Sequence, residues 1–152
     1  MPDPRNILAY DGINADFVTV QADTSIVFDA LQRGGSASVG LAVSLSANQT
    51  VGLALDGRSV YGKLQLVEND GRCNVQFKGY TNLPGGVGAA LTPGTSVVGA
   101  LGGAGGTQPG YIRNVAAAPA AYSQAAAAEA AGAGATEIVD ATDPTNVVVL
   151  IA

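Results

Sequence analysis

Histidine and tryptophan are absent from this chain, cysteine occurs once, and aromatic residues make up 5%. Without histidine the commonest general base is missing. With it go the Ser-His-Asp and Cys-His arrangements and the usual zinc ligand set. A lone thiol, Cys73, can form neither an internal disulfide nor a thiolate metal cage. It lies in a strand-like stretch and reads as a small buried hydrophobe. Bases are scarce: Lys+Arg 7 against Asp+Glu 12 leaves a net charge of −5. Nucleic acid needs a basic surface, and an anionic membrane attracts one, so neither is an expected partner. No apolar run approaches the ~20 residues of a membrane span. The opening "MPDPRN" carries no basic-then-apolar signal pattern. The expectation is a protein made in a cytoplasm.

What is present is alanine, valine and glycine. A chain of 152 residues is expected to form one domain. Small side chains each bury little area, at roughly 25 cal/mol per Å², so a monomer gains from association. The charges are uneven. Asp3, Asp11, Asp16, Asp23 and Asp29 crowd the start, and Glu129, Glu137, Asp140 and Asp143 the end. Arg58, Lys63, Arg72, Lys78 and Arg113 lie between them.

Residues 1–12, with Pro2 and Pro4, read as an extended arm, and 13–152 as a single β-barrel or β-sandwich domain. "ADFVTVQA" alternates as a strand, and "TSIVFDAL" is a second strand candidate. "SVGLAVSLS" places Val39, Leu41, Val43 and Leu45 on one face. Residues 51–80 predict a three-strand meander, with turns at Asp56-Gly57 and Asn69-Asp70-Gly71. Leu64 and Leu66 should share a face in it. "VGAAL" and "TSVVGAL" are short strand-like pieces, and "YIRNV" is a brief strand. Loop insertions are expected at about 99–110 and 117–135, the second low-complexity and alanine-rich. "TEIVDAT" and "NVVVLIA" should close the chain as a hairpin. About eight to ten short strands with Gly and Pro turns make the fold class all-β. No internal repeat is evident. The terminal run "NVVVLIA" must be covered by its own core or by a neighbouring subunit, because an exposed strand of this kind aggregates.

Enzyme readings start from carboxylates. Asp23-Thr24-Ser25 could present an aspartic-protease type carboxylate in a dimer. Ser25 stands where that motif usually has Gly, and a polar turn between strands is the simpler reading. "GGAGGT" lacks the lysine of a phosphate loop and reads as turn glycines. Glu137, Asp140 and Asp143 could offer oxygens to calcium, but their spacing is not that of an EF-hand, and an acidic hairpin is the simpler reading.

The succession "VYGKLQLVENDGRCNVQFKGYTNLPGG", "LTPGTSVVGALGG", "GYIRNVAA" and "ATEIVDATDPTNVVVLIA" resembles the small head-decoration (cement) proteins of tailed bacteriophages. The resemblance covers roughly residues 50–152. It implies a β-rich, often trimeric module on the outer capsid surface of the virion, clamping neighbouring capsomers. The implied partners are the major capsid protein and further copies of the chain, with no catalytic residue, metal or cofactor and no enzyme activity. On that reading Pro2, Pro4, Arg5, Asn6, Ile7, Leu8 and Tyr10 of the arm, with Arg58, Arg72 and Lys78, would touch the capsid. Val147, Val148, Val149, Leu150 and Ile151 would form the subunit interface. Two other readings stay open: a tail-fibre or spike module that binds a host ligand, and a dimeric aspartic-type hydrolase built on Asp23.

Overall fold

The computed structural model describes residues 14–115 and 136–151. The expected arm, the alanine-rich segment and Ala152 lie outside them. The described residues are all-β, with nine strands: β1 (Asp16–Ala22), β2 (Ala42–Ala47), β3 (Thr50–Leu53), β4 (Gly62–Val67), β5 (Arg72–Leu83), β6 (Val97–Gly102), β7 (Gln108–Asn114), β8 (Glu137–Asp140) and β9 (Val147–Ile151). A short 3-10 turn covers Arg33–Gly35.

The strands close into two rings rather than one barrel. In the first, β1 pairs with β3 in parallel and with β5 antiparallel, while β3–β2, β2–β4 and β4–β5 are antiparallel. Ile26, Leu41, Val43, Val51, Leu53, Leu64, Val67, Cys73 and Val75 fill it. The second ring begins on the same β5, whose later half pairs with β9, and β9 pairs with β8. An antiparallel bridge joins Ser96 to Glu137, the β6–β7 hairpin follows, and a parallel bridge from Ile112 to Gly85 returns to the chain just past β5. Its core includes Leu83, Val97, Ile112, Ile138, Val147, Val149 and Ile151, with Ala42, Ala54 and Val60 reaching in from the first ring.

The rings have the same strand order, and their registers correspond residue by residue. Val18↔Val75, Thr19↔Asn74 and Val20↔Cys73 in the first match Thr81↔Val149, Asn82↔Val148 and Leu83↔Val147 in the second. Ala42↔Lys63 matches Ser96↔Glu137. Ala22↔Val51 matches Gly85↔Ile112, and both are parallel. Even the bulge recurs: between Leu64 and Leu66 against β5, and between Ile138 and Asp140 against β9. Gly40 and Gly94 occupy equivalent left-handed positions (φ 95° and 80°). Each donates its N–H to the fourth strand of its ring, Leu64 O and Ile138 O, both at 2.8 Å. The chain is thus a structural duplication in which one long strand ends the first copy and starts the second. This corrects the reading that no repeat is present.

β5 changes rings at Gly79, whose φ of 93° suits glycine. The crossing is pinned by Gln76, which is buried. Its Nε2 donates to Lys78 O (3.2 Å) and Tyr80 O (3.0 Å), and its Oε1 accepts from Gln65 Nε2 (3.1 Å).

The terminal hairpin forms as expected. However, β9 lies between β5 and β8, and Val147, Val148, Val149 and Ile151 are buried in their own chain while Leu150 is half-buried. The strand Val147–Ile151 is thus covered on both edges by partners of its own chain, β5 and β8.

Other expectations change locally. "TSIVFDAL" is a loop, because the carboxylates of Asp23 and Asp29 capture nearby backbone N–H groups that a strand would need. The meander of 51–80 keeps its β4–β5 hairpin, but β3 pairs with β1 and β2 and never reaches β4. β2 starts at Ala42, so Val39 lies outside it, and Leu45 is exposed. The bulge separates Leu64, which is buried, from Leu66, which is 42% exposed. "VGAAL" forms no strand, and of the expected 99–110 loop only 103–107 lies outside strands.

Candidate functional site

Three places carry groups that could act. The first is the end of β1. Asp23 N–H donates to Val51 O (2.8 Å), which ends the parallel pairing and turns the chain. Asp23 Oδ1 accepts from Ser25 N–H (2.8 Å) and Ser25 Oγ–H (2.5 Å), while Ser25 Oγ accepts from Leu53 N–H (2.9 Å). The carboxylate lies directly over Gly52, where a Cβ would sit 2.0 Å from Asp23 Oδ2. Burial raises the Asp23 pKa, but the hydroxyl and N–H of Ser25 and the hydroxyl of Ser46 outweigh it, leaving the group below the ordinary 3.8. Within this chain Asp23 is a turn acceptor, and its hydroxyl neighbour is engaged in holding β3. Asp23, Ser25, Ser44, Leu45, Ser46, Leu53, Leu55 and Arg58 line a groove of about 220 Å³.

The second place is the loop from Asp23 to Gly35. Asp29 organises it: its N–H donates to Gly35 O (2.8 Å), its O accepts from Gln32 N–H (3.0 Å), and its Oδ1 accepts from Leu31 N–H (2.9 Å). Ile26 plugs the loop into the first core. Gly35 lies so close to β4 that a Cβ would meet Val67 O at 2.0 Å. Around this frame Val27, Phe28 and Leu31 point outward, Leu31 at 94% exposure. The strand reading of "TSIVFDAL" concealed this site; the signal that could have found it is an apolar run bracketed by Asp23 and Asp29, both favoured turn formers.

The third is the β8–β9 turn. Asp140 Oδ1 accepts from Thr142 N–H (2.8 Å) and Thr142 Oγ1–H (2.6 Å), and Asp143 Oδ1 accepts from Thr145 N–H (2.9 Å) and Oγ1–H (2.7 Å). Both carboxylates are held below their usual range by these threonines. Each acid caps its own turn. Among the described residues no three His, Cys, Asp or Glu side chains converge as metal ligands would.

Of the sequence-expected capsid contacts, the structure describes Arg58, Arg72 and Lys78. Pro2, Pro4, Arg5, Asn6, Ile7, Leu8 and Tyr10 fall outside the described residues. Arg72 and Lys78 lie six residues apart on β5, about 20 Å along the strand at ~3.3 Å per residue. Each leans on an exposed acid, Arg72 on Asp70 (3.6 Å) and Lys78 on Asp16 (3.5 Å). Arg58 lines the groove, has no ion-pair partner among the described residues, and is exposed. Cys73 is buried, and burial followed by the Asp23 charge pushes its thiol up to about 11, which leaves it inert as a nucleophile. "GGAGGT" is the tip of the β6–β7 hairpin, with Gly103, Gly105 and Gly106 at positive φ. Neither a protein-family model, nor a curated protein, nor a solved structure matches this chain.

Proposed function

We propose that this chain is a structural binding protein of the capsid-decoration kind that its sequence resembles, and that it grips the outer surface of a capsid through the loop 23–35. The observation that carries the reading is the ordered apolar loop. A loop tied by Asp29 and plugged by Ile26 loses little further entropy on binding. Exposed Val27, Phe28 and Leu31 side chains on one ordered loop are otherwise a liability, and exposed apolar patches mark interaction surfaces. The partner is the major capsid protein, with the arm residues Pro2 to Tyr10 as a second point of attachment, and the place of work is the virion exterior.

The test is binding of the purified chain to capsids that lack decoration. The wild type should saturate them. Leu31→Asp should weaken binding by about tenfold or more, the effect of losing ~1.4 kcal/mol at an anchor. Arg72→Ala should change it little. A wild-type chain that ignores capsids ends this reading.

The duplication itself favours a second reading, a tail-fibre or spike module, since such modules are built from repeated units along an axis. Its discriminating result is binding to host-cell glycans or receptors with no binding to capsids.

A further inference from the structure

Cations are few in this chain, and Arg72, Lys78 and Arg113 lean on Asp70, Asp16 and Asp56. Arg33 is exposed and has no ion-pair partner among the described residues. It stands at the corner that ends the 23–35 loop. There it lines a hollow of about 510 Å³, bounded also by Gln65 of β4. The corner is fixed: Gly35 N–H donates to Gln32 O (3.0 Å), and Gly35 O accepts from Asp29 N–H (2.8 Å). Gln65 is fixed too, since its Nε2 donates to Oε1 of the buried Gln76 (3.1 Å).

Other side chains bring donors to the same hollow. Ser36 lines it and is 3% exposed. Its Oγ accepts from Ser38 N–H (3.2 Å), and no described residue accepts its own O–H. Gln32 lines it as well, with a side-chain amide that no described residue engages. No Asp or Glu stands among the described lining residues. Asp29, earlier on the loop, turns its Oδ1 to Leu31 N–H (2.9 Å) instead. The hollow therefore holds a guanidinium, a buried hydroxyl hydrogen and an amide with no acceptor to serve, in a chain whose net charge is −5. A buried donor is costly to leave unmatched.

We propose that this hollow is a binding site for an oxyanion, held by the Arg33 guanidinium together with the Ser36 hydroxyl and the Gln32 amide. A guanidinium is a planar fork that meets two oxygens of a carboxylate or a phosphate in parallel bonds. Ser36 and the backbone of the corner are already ordered, so binding costs them little further entropy. The carboxylate of an acidic side chain and free inorganic phosphate offer the same oxygens to these donors. The site does not depend on what the apolar side chains of the loop grip.

The experiment is titration of the full chain, read by NMR at the backbone amides and the arginine side chains. One arm uses sodium acetate and the other inorganic phosphate, with ionic strength held constant by sodium chloride. The wild type should show saturable shifts at Arg33 and Ser36. Saturation at lower acetate than phosphate assigns the site to a carboxylate, and the reverse order to a phosphate. Arg33→Gln should weaken binding by about tenfold or more, the loss of a charge-assisted contact. Ser36→Ala should weaken it about fivefold, the loss of a neutral hydrogen bond. Arg33 is exposed, so its variant keeps the fold and the result does not hang on Ser36→Ala. Arg58→Gln, which removes another exposed guanidinium, should titrate like the wild type. The absence of a saturable shift at Arg33 in both arms overturns the proposal, as does an Arg33→Gln chain that titrates like the wild type. An Arg58→Gln chain weakened as much as Arg33→Gln also overturns it, since general surface charge would then explain the shifts.

Discussion

The first ring and the second share a pairing scheme and differ in what hangs from it. Where the first has Asp23 at the end of its opening strand, the second has Gly86, each donating its N–H to the equivalent carbonyl, Val51 O and Ile112 O. Where the first has Gly52 beneath that carboxylate, the second has Arg113, turned away to Asp56. The first ring carries the apolar loop 23–35 and the groove; the second carries a shorter connection and, between β8 and β9, two Asp–Thr caps where the β4–β5 turn has the one cap of Asp70 on Arg72 N–H. Backbone pairing was preserved by residue class alone: Val51 against Ile112, Leu64 against Ile138, Cys73 against Val147 are all buried pairs of different identity. The chemistry sits in the connections, which is where a scaffold can vary without losing its core.

The largest expected effects test whether the two rings are separate or one. Leu64→Ala and Ile138→Ala occupy equivalent core positions, and each should cost about 2–5 kcal/mol. β5 runs through both rings, and Ala42, Ala54 and Val60 of the first help to fill the second core. Either substitution should therefore lower one common unfolding transition. The check is denaturant unfolding followed by circular dichroism, with labelling of the Cys73 thiol reporting the first ring. If Ile138→Ala unfolds the second ring while Cys73 stays protected, the rings are independent and the shared strand does not couple them.

Much of this fold could be read in advance. Alternation in "ADFVTVQA" and "RCNVQFKGY", the Asn69-Asp70-Gly71 turn and the closing hairpin all appear where local pattern placed them. Strand neighbours could not be read that way, because β3 finds β1 and β2 through long-range burial rather than through the Asp56-Gly57 turn that follows it. The repeat escaped for a related reason. Its copies share β5 and their loops differ in length, so no fixed period exists, and few equivalent residues are identical. The loop 23–35 escaped because Ile26, Val27 and Phe28 look like a strand until the two aspartates are given their backbone partners. The groove draws its lining from four separate stretches, at Asp23–Ser25, Ser44–Ser46, Gly52–Leu55 and Arg58, so no local pattern marks it.

The next effects probe the one corner the second ring lacks. Gly52→Ala drives a methyl into the Asp23 carboxylate and should destabilise by about 1–3 kcal/mol. Ser25→Ala leaves Leu53 N–H without its acceptor and frees Asp23 Oδ1, at about 1–2 kcal/mol. At the matching place in the second ring, Arg113→Ala removes a partly exposed ion pair to Asp56 and should cost only ~1 kcal/mol or less, apart from lost packing of its stem. Thermal unfolding of the three variants orders them. An Arg113→Ala chain less stable than Gly52→Ala would show that the joint between rings, and not the Asp23 corner, is the more sensitive place.

The smallest effect is the acid limb of stability. Asp23, Asp140 and Asp143 all have folded pKa values below the ordinary 3.8. A carboxylate lowered on folding stabilises the native state above its unfolded value and withdraws that help as pH falls through the folded one. Stability should therefore be level from neutral pH to about 4 and decline below 3.8, first by protonation of the turn acids in whichever ring binds protons more readily. Asp143 is exposed and Asp140 half-buried at the rim of its turn, so water screens their hydrogen bonds and their share is slight. Asp23 is more enclosed, and its protonation also releases Ser25 from the geometry that holds Leu53. Asp23→Asn should therefore flatten the decline below 3.8 more than Asp140→Asn does, measured as midpoint denaturant concentration against pH. If the two variants flatten it equally, the second ring is as dependent on its turn acids as the first is on its corner, and the contrast between the copies is one of surface alone.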